Sequence, residues 1–480
     1  MAAGSAVALI DFARGNPSRG QTAPPATDAL NVLEEIPSAL HPAIRRGGFS
    51  DLGAYFDRAA RRAVFGARAL YVPSGTYTMH TWSPPANLTV LTDGRATVFK
   101  QLDTRGKPQR FIEVAAGGVR LWPDGAATID GGMTGRGTNA SQFNSGVRVH
   151  ANPGVRIENF ACGDIYGVDI GGDVLETGCA AAGYLGHCEI GTLYGENVYR
   201  NILSVTGGRS GTVAAVIQTG GCGLMAVDFE PDPGSRAPSA WTIGRVVGHR
   251  ASVVGDPQVP LGSVTIHELD LDYSRPASNP PFSQGRISAA TAVSLFQVGM
   301  RYRNVQSIVV DRAKIVGFPR GAVEDIGSGA QDRSCDRVYF GSLEIEDCGV
   351  TTKYQVTTQK TVLFEVGTIR AARKTDPSVA TFIGGNAMNT IRVNGGEIAG
   401  RIVFSAAGGF EANQLTMTGR NQVLFRLMRG PLRLRRAVCI DALVLFDNCS
   451  GTIVVEDSRI DAKEVIRASS NPRFIRSTLS

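Results

Sequence analysis

The chain has 480 residues and a formal net charge of +6, from 49 basic and 43 acidic side chains. With 58 glycines and only 19 % charged residues, it is too turn-rich and too sparsely charged for a coiled coil or helical bundle. No apolar run of about 18 residues occurs, which excludes a membrane-spanning helix, and glycine lacks the three-residue period of collagen.

Seven of the basic residues are lysine and the rest arginine, spread along the chain. Without a basic cluster no nucleic-acid partner is expected, while a mildly basic surface still suits an acidic polysaccharide. The eight cysteines stand at 162, 179, 188, 222, 335, 348, 439 and 449. They form no C-x-x-C pair and no Cys–His zinc spacing, so no metal site is read from them. Cys162, Cys188, Cys222 and Cys439 lie beside apolar strand-like residues and read as buried free thiols.

In chain order, residues 1–27 are rich in Gly, Pro, Ala and Ser and read as a flexible arm. Met1–Ile10 has no basic region and too short an apolar stretch for a secretion signal. Asp28–Ile36 reads as a short helix stopped by Pro37. Ser50 is an N-cap candidate for a clearer helix, whose Leu52, Tyr55, Phe56, Ala59 and Ala63 follow the spacing of one buried face. These helices make residues 28–66 a helical cap. Residues 71–77, Tyr-Val-Pro-Ser-Gly-Thr-Tyr, then give a strand, a tight turn and a second strand.

From 67 to 480 the pattern is short alternating strands and bends with no convincing helix. It recurs at Val338–Ile345, Val362–Ile369, Ile391–Ile398, Ala412–Met417, Leu432–Val438 and Ile453–Ile460, a period of about 20 to 29 residues. Units of strands alone, each burying its face against its neighbours, predict an all-β parallel β-helix. The last residues, Arg473–Ser480, read as one more strand with no cap over it, and an open coil edge predicts either a homotrimer that covers it or a chain cut short at this point.

The amphipathic helix over 51–64, the Tyr71–Tyr77 turn and the first coil at Asn87–Leu91 together resemble the entry of the pectate-lyase-like superfamily of right-handed parallel β-helices. Val155–Asn159 is similar to the repeating coil of that superfamily, with Asn159 suited to a ladder at the bend. The resemblance spans roughly residues 50–480 and implies a single-stranded right-handed solenoid under an N-terminal cap. Members include polysaccharide lyases, glycoside hydrolases and phage tailspikes, so it implies fold more than activity. Many members carry an Arg-Asn segment and, one coil later, Gly-Ile-Asp-Phe-Glu-Pro. Here these are Arg200-Asn201 and Ala226-Val-Asp-Phe-Glu-Pro231, with Ala in place of the first Gly.

Stacked strands lie about 4.8 Å apart, so Arg200 and Asp228 become neighbours. Val227 and Phe229 are apolar and point inward, which sends Asp228 and Glu230 to the outer face. Carboxylates at i and i+2 of a strand have Cα atoms about 6.7 Å apart, in the range of an inverting acid/base pair. A like-charged neighbour raises the pKa of the one that serves as acid. Arg200 would orient substrate or keep the other carboxylate ionised, with Asn201 beside it as a substrate contact.

Glu268, Asp270 and Asp272 form a second acidic set. The apolar parity changes between Ile266 and Leu269, which requires a bend near His267 and puts the three carboxylates on one exposed face. With Asp228 they would form one acidic strip across two coils, a glycosidase cleft or a calcium site, or else an ordinary solvent-facing polar row. Asp169, Asp173 and Glu176 cluster in a Gly-rich loop and read as structural polar residues. β-Elimination would need a base and a carboxylate-neutralising group instead, for which Tyr199, Arg200, Arg245, His249 and Arg250 are available. Trp241, after the Pro-rich segment 231–238, is a candidate sugar platform, and 231–238 and 273–288 would wall a groove.

The expectation is therefore a polysaccharide-degrading enzyme, foremost a glycoside hydrolase, that needs no cofactor beyond a possible calcium ion. The alternatives are a lyase acting on a uronate-containing glycan and a non-catalytic tail or surface fibre that binds glycan. Each places the protein outside the cell, on a cell surface or on a phage virion.

Overall fold

The computed structural model describes residues 28–47, 50–102, 110–132, 144–275, 297–327, 335–352, 354–372, 380–384, 389–399 and 408–479. The expected arm over 1–27 lies outside them, as does most of the 273–288 wall. The fold is an all-β parallel β-helix, whose strands form one 24-stranded and one ten-stranded sheet. In the middle of the solenoid each coil contributes a short strand to the smaller sheet and a long one to the larger. Val227–Phe229 followed by Ala240–Gly248, and Ala251–Val254 followed by Leu261–Asp272, are two such coils.

The long strands turn a corner along their length. In Leu261–Asp272 the residues Val264, Ile266, Leu269 and Leu271 are buried, with His267 exposed between the two parities. The corner is therefore where the parity change requires it. It lets one strand cover two faces of the core without losing its ladder with Val305–Val316. Asn159 is exposed rather than part of an interior ladder. Asn197, Asn304 and Asn448 instead hold left-handed φ at bends, a conformation asparagine tolerates better than most residues.

The N-terminal end is closed by Gly53–Phe65, which buries Phe56, Ala59, Ala60 and Ala63. Its N-cap is Leu52 rather than Ser50, and Asp51 holds the Gly53 N–H at 3.0 Å. Phe56 meets Tyr77, Trp82 and Phe99 at ring separations of 5.5, 5.3 and 6.0 Å. The Tyr71–Tyr77 turn is tied by Asp93, which accepts from the Tyr71 hydroxyl at 2.6 Å and the Ser74 N–H at 2.8 Å. Gly75 has φ +151°, and a Cβ there would lie 2.6 Å from Ile44 Cγ2; a tight packing position therefore fixes this glycine.

Asp28–Ile36 is not a helix. Leu30–Asn31 adds a strand beside Leu70–Tyr71, and Asn31 then caps a single 3-10 turn over Val32–Glu34. The sheet edge takes these residues, and the asparagine that would interrupt a longer helix starts a shorter one. All eight cysteines are buried free thiols. Among the described residues no helix is long and apolar enough to cross a membrane.

Candidate functional site

The ten-stranded sheet aligns one residue per coil in a polar row on its outer face. Register places Glu113, Arg148, Glu176, Ser204, Asp228, Ser252, Arg301, Glu324 and Thr357 in successive positions. At about 4.8 Å per coil the row is a ruler of charged groups along the solenoid axis. Its two ends are ion-paired. Arg148 bridges Glu113 and Glu176, both at 3.1 Å, and Glu324 takes Arg320 at 2.8 Å and Arg301 at 3.6 Å.

Asp228 lies in the middle of the row. Val227 and Phe229 on either side of it are fully buried in the core, so Asp228 points outward as alternation requires. Yet only 6 % of its surface is accessible, because side chains from the adjacent coils close over it. Asn201 donates to one of its oxygens at 3.3 Å. Burial and then the Glu230 carboxylate push the Asp228 carboxyl up to about 7, against the opposing pull of Arg200 and a hydrogen bond from Ser252. Glu230, two residues on, is exposed.

Beside these residues is a cleft of about 480 Å³, lined by Arg110, Arg148, Arg200, Arg303, Glu176, Glu230 and Asp232, with Pro231 and Pro233. The 231–238 segment thus begins as one of its walls. Arg200 reaches from the cleft to a second carboxylate, Asp173, at 3.3 Å. Asp173 is wholly buried and accepts the Asn201 backbone N–H at 3.0 Å. Burial pushes its carboxyl up to about 6, with Arg200 opposing.

The other candidates separate from this centre. Glu268 and Asp270 belong to the 24-stranded sheet, in register with Arg245, Val247, Arg312 and Lys314. Glu268 pairs with Arg245 at 3.3 Å and Arg312 at 3.6 Å, and Asp270 with Arg275 at 3.2 Å. They form a cross-strand charge ladder in a groove of their own, shared with Glu344 and Arg370. The single acidic strip joining them to Asp228 does not exist, because the corner of the coil puts the two sets on different sheets. Among the described residues no three His, Cys, Asp or Glu side chains converge as a metal site.

Five further candidates are buried or turned away. Trp241 is a core residue, edge-on to Phe229 at 5.9 Å, and offers no face to a sugar. His249 is buried between Tyr273 and Phe318, and burial followed by the Arg250 charge pushes its imidazole down to about 4. Arg250 is buried as well, donates to the Leu224 carbonyl, and is pushed down to about 9 by desolvation. Asn201 is fully buried, so it serves Asp228 rather than substrate. Tyr199 is half-buried and does not line the cleft.

Asp173 and Glu176 are the site residues that sequence reasoning set aside. Their signal was spacing: Asp173 lies 28 residues before Asn201, and Asn201 lies 27 before Asp228, one coil each time. No family model, curated protein or solved structure matches the chain.

Proposed function

We propose that the chain is a polysaccharide-degrading enzyme related to the pectate-lyase-like superfamily, a glycoside hydrolase acting on an anionic glycan. The observation that supports this most is Asp228: a carboxyl pushed up to about 7 beside an arginine-walled cleft. A carboxyl that keeps its proton near neutral pH is suited to general acid catalysis.

Asp228 delivers its proton to the glycosidic oxygen as the C1–O bond breaks. Glu230, exposed and two residues along the same outward face, takes a proton from the water that attacks C1 on the opposite side. Outward groups at i and i+2 are about 6.7 Å apart at Cα, which favours the inverting course over the closer retaining one. Arg110, Arg148, Arg200 and Arg303 line the same cleft, and their forks suit carboxylate or sulfate groups on the sugar chain. A groove running along a stack of coils matches an extended polymer.

Of the lyase candidates, His249 is buried and Tyr199 is off the cleft wall, whereas Arg200 lines the cleft and would serve either chemistry. The test follows reducing ends and unsaturated-uronate absorbance together on polygalacturonate, alginate, hyaluronan and dextran sulfate, with neutral dextran alongside. Hydrolysis gives reducing ends without absorbance, and Asp228→Asn and Glu230→Gln should each lower the rate at least about 100-fold. New absorbance would establish elimination instead. Binding with neither signal would leave a glycan-binding fibre.

A further inference from the structure

Asn201 has one side-chain amide and two demands on it. Its Oδ1 accepts the Met225 backbone N–H at 3.1 Å, and a backbone N–H can only donate. The amide is thereby oriented, and its Nδ2 must face Ser204 Oγ at 3.0 Å and Asp228 Oδ2 at 3.3 Å. The backbone N–H of the same residue is held by Asp173 Oδ1 at 3.0 Å, while Asp173 Oδ2 takes Arg200 at 3.3 Å. Asp173 therefore grips both Arg200 and Asn201, the two consecutive residues that face Asp228 from the preceding coil.

We propose that Asp173 is the positioning residue of this site: by anchoring Arg200 and Asn201 it shares the guanidinium that would otherwise turn wholly to Asp228, and so favours the proton-donating form of that carboxyl. The proposal rests on the reading of Asp228 as the acid. Asp173 does not itself line the cleft and acts through its neighbours, Arg200 of the cleft wall and Asn201. Two effects of its charge have one sign. It repels a negative charge on Asp228 directly, and it competes for Arg200, the cation that would otherwise stabilise that charge. The other charged groups acting on Asp228 are Glu230 on its own strand, and Arg250 and Arg301 from the following coils; Glu176 acts on Asp173 and Arg200. Each stays in place when Asp173 is changed, so the change isolates its contribution.

The experiment reads the Asp228 carboxyl itself. Protein labelled with ¹³C at aspartate carboxyls is titrated by NMR without substrate, and the Asp228 resonance is assigned by its loss in Asp228→Asn. In Asp173→Asn, which still offers an oxygen to the Asn201 N–H, the Asp228 midpoint should fall by about one pH unit. In Arg200→Gln it should rise by a similar amount. The two opposite shifts are the signature, since a structural lesion would not reverse its sign between them. Should Asp173→Asn fail to fold, Asp173→Ser, which keeps a hydroxyl oxygen for the Asn201 N–H, takes its place with the same downward shift expected. An Asp228 midpoint unmoved in a folded variant overturns the proposal. Because the titration needs no substrate, opposite shifts in a protein that cleaves no glycan would sink the hydrolase reading and leave the positioning role standing. On an active substrate, Asp173→Asn should also move the alkaline limb of kcat to lower pH, since the acid is lost as pH rises through its midpoint.

Discussion

Asp228 and Asp325 are both carboxylates held away from water, and their surroundings give them different tasks. Asp325 points into the coil stack and accepts the Gly327 N–H at 3.0 Å, the Lys360 N–H at 2.7 Å and the Thr361 hydroxyl at 2.9 Å. Such a saturated acid ties turns together, and although burial pushes its carboxyl up against those hydrogen bonds, it does not line the cleft. Asp228 stands on the outer face with another carboxylate two residues away, at a cost in stability. Its folded midpoint, about 7, lies above the ordinary aspartate value of 3.8, so the folded chain holds a proton that the unfolded chain has released. Stability from this group is present below about pH 4 and is lost as pH rises to about 7, by a few kcal/mol at most. Asp228→Asn removes that loss. The variant should melt higher than the parent at pH 8, and the gap should close towards pH 4. A gap of constant size across that range, read by calorimetry, would show that Asp228 carries no such penalty. Alternation between Val227 and Phe229 made the outward direction of Asp228 legible. Burial of Asn201, His249 and Arg250 was not, because it depends on side chains supplied by neighbouring coils.

At the scale of elements, the cap and the first turn were legible because each is a local pattern. The helix spacing, the Tyr71–Tyr77 turn and the glycine at 75 all act within a few residues. The assignment of acidic rows to sheets was not legible, since it depends on how many residues each coil spends in its corners. Glu268 and Asp270 follow Asp228 in sequence, but the chain leaves the sheet of Asp228 between Val254 and Leu261. The cap itself is argued from one ring. Phe56 fills the end of the core against Tyr77, Trp82 and Phe99, and its removal leaves a void that three large aromatics cannot collapse into. Phe56→Ala should cost about 3–5 kcal/mol, seen as a lower urea midpoint. A change below about 1 kcal/mol, within the range of an ordinary surface substitution, would mean that the helix is not the closure of the stack.

Across the whole molecule the coils narrow toward the C-terminus. Strand register steps by 24 to 28 residues per coil around Asp228 and by 19 to 21 in the last coils. The ten-stranded sheet ends at Ala380–Gly384. Later coils are built on the 24-stranded sheet, where Arg473–Ile475 and Thr478–Leu479 each have a neighbour on one side only among the described residues. A solenoid is stabilised by each unit's own packing and by its contacts with the units above and below. Among the described residues these narrow coils rest on one sheet, with Phe474 and Leu479 partly exposed, and so have less of both. Opening should therefore begin there and travel towards the capped end, while the coils that carry Asp173, Asn201 and Asp228, with neighbours on both sides and a third face of strand, open last. Native-state hydrogen exchange resolves this order directly. Protection should rise from Arg473–Ile475 through Ile453–Glu456 and Leu432–Arg435 to a plateau over Leu175–Cys179, Leu203–Val205 and Val227–Phe229. Equal protection at both ends of the stack would mean that something outside these coils covers the narrow end, which is the result a trimer would give; dilution should then expose the gradient. A gradient already present at every concentration places the rigid scaffold under the candidate site and leaves the narrow end to fray alone.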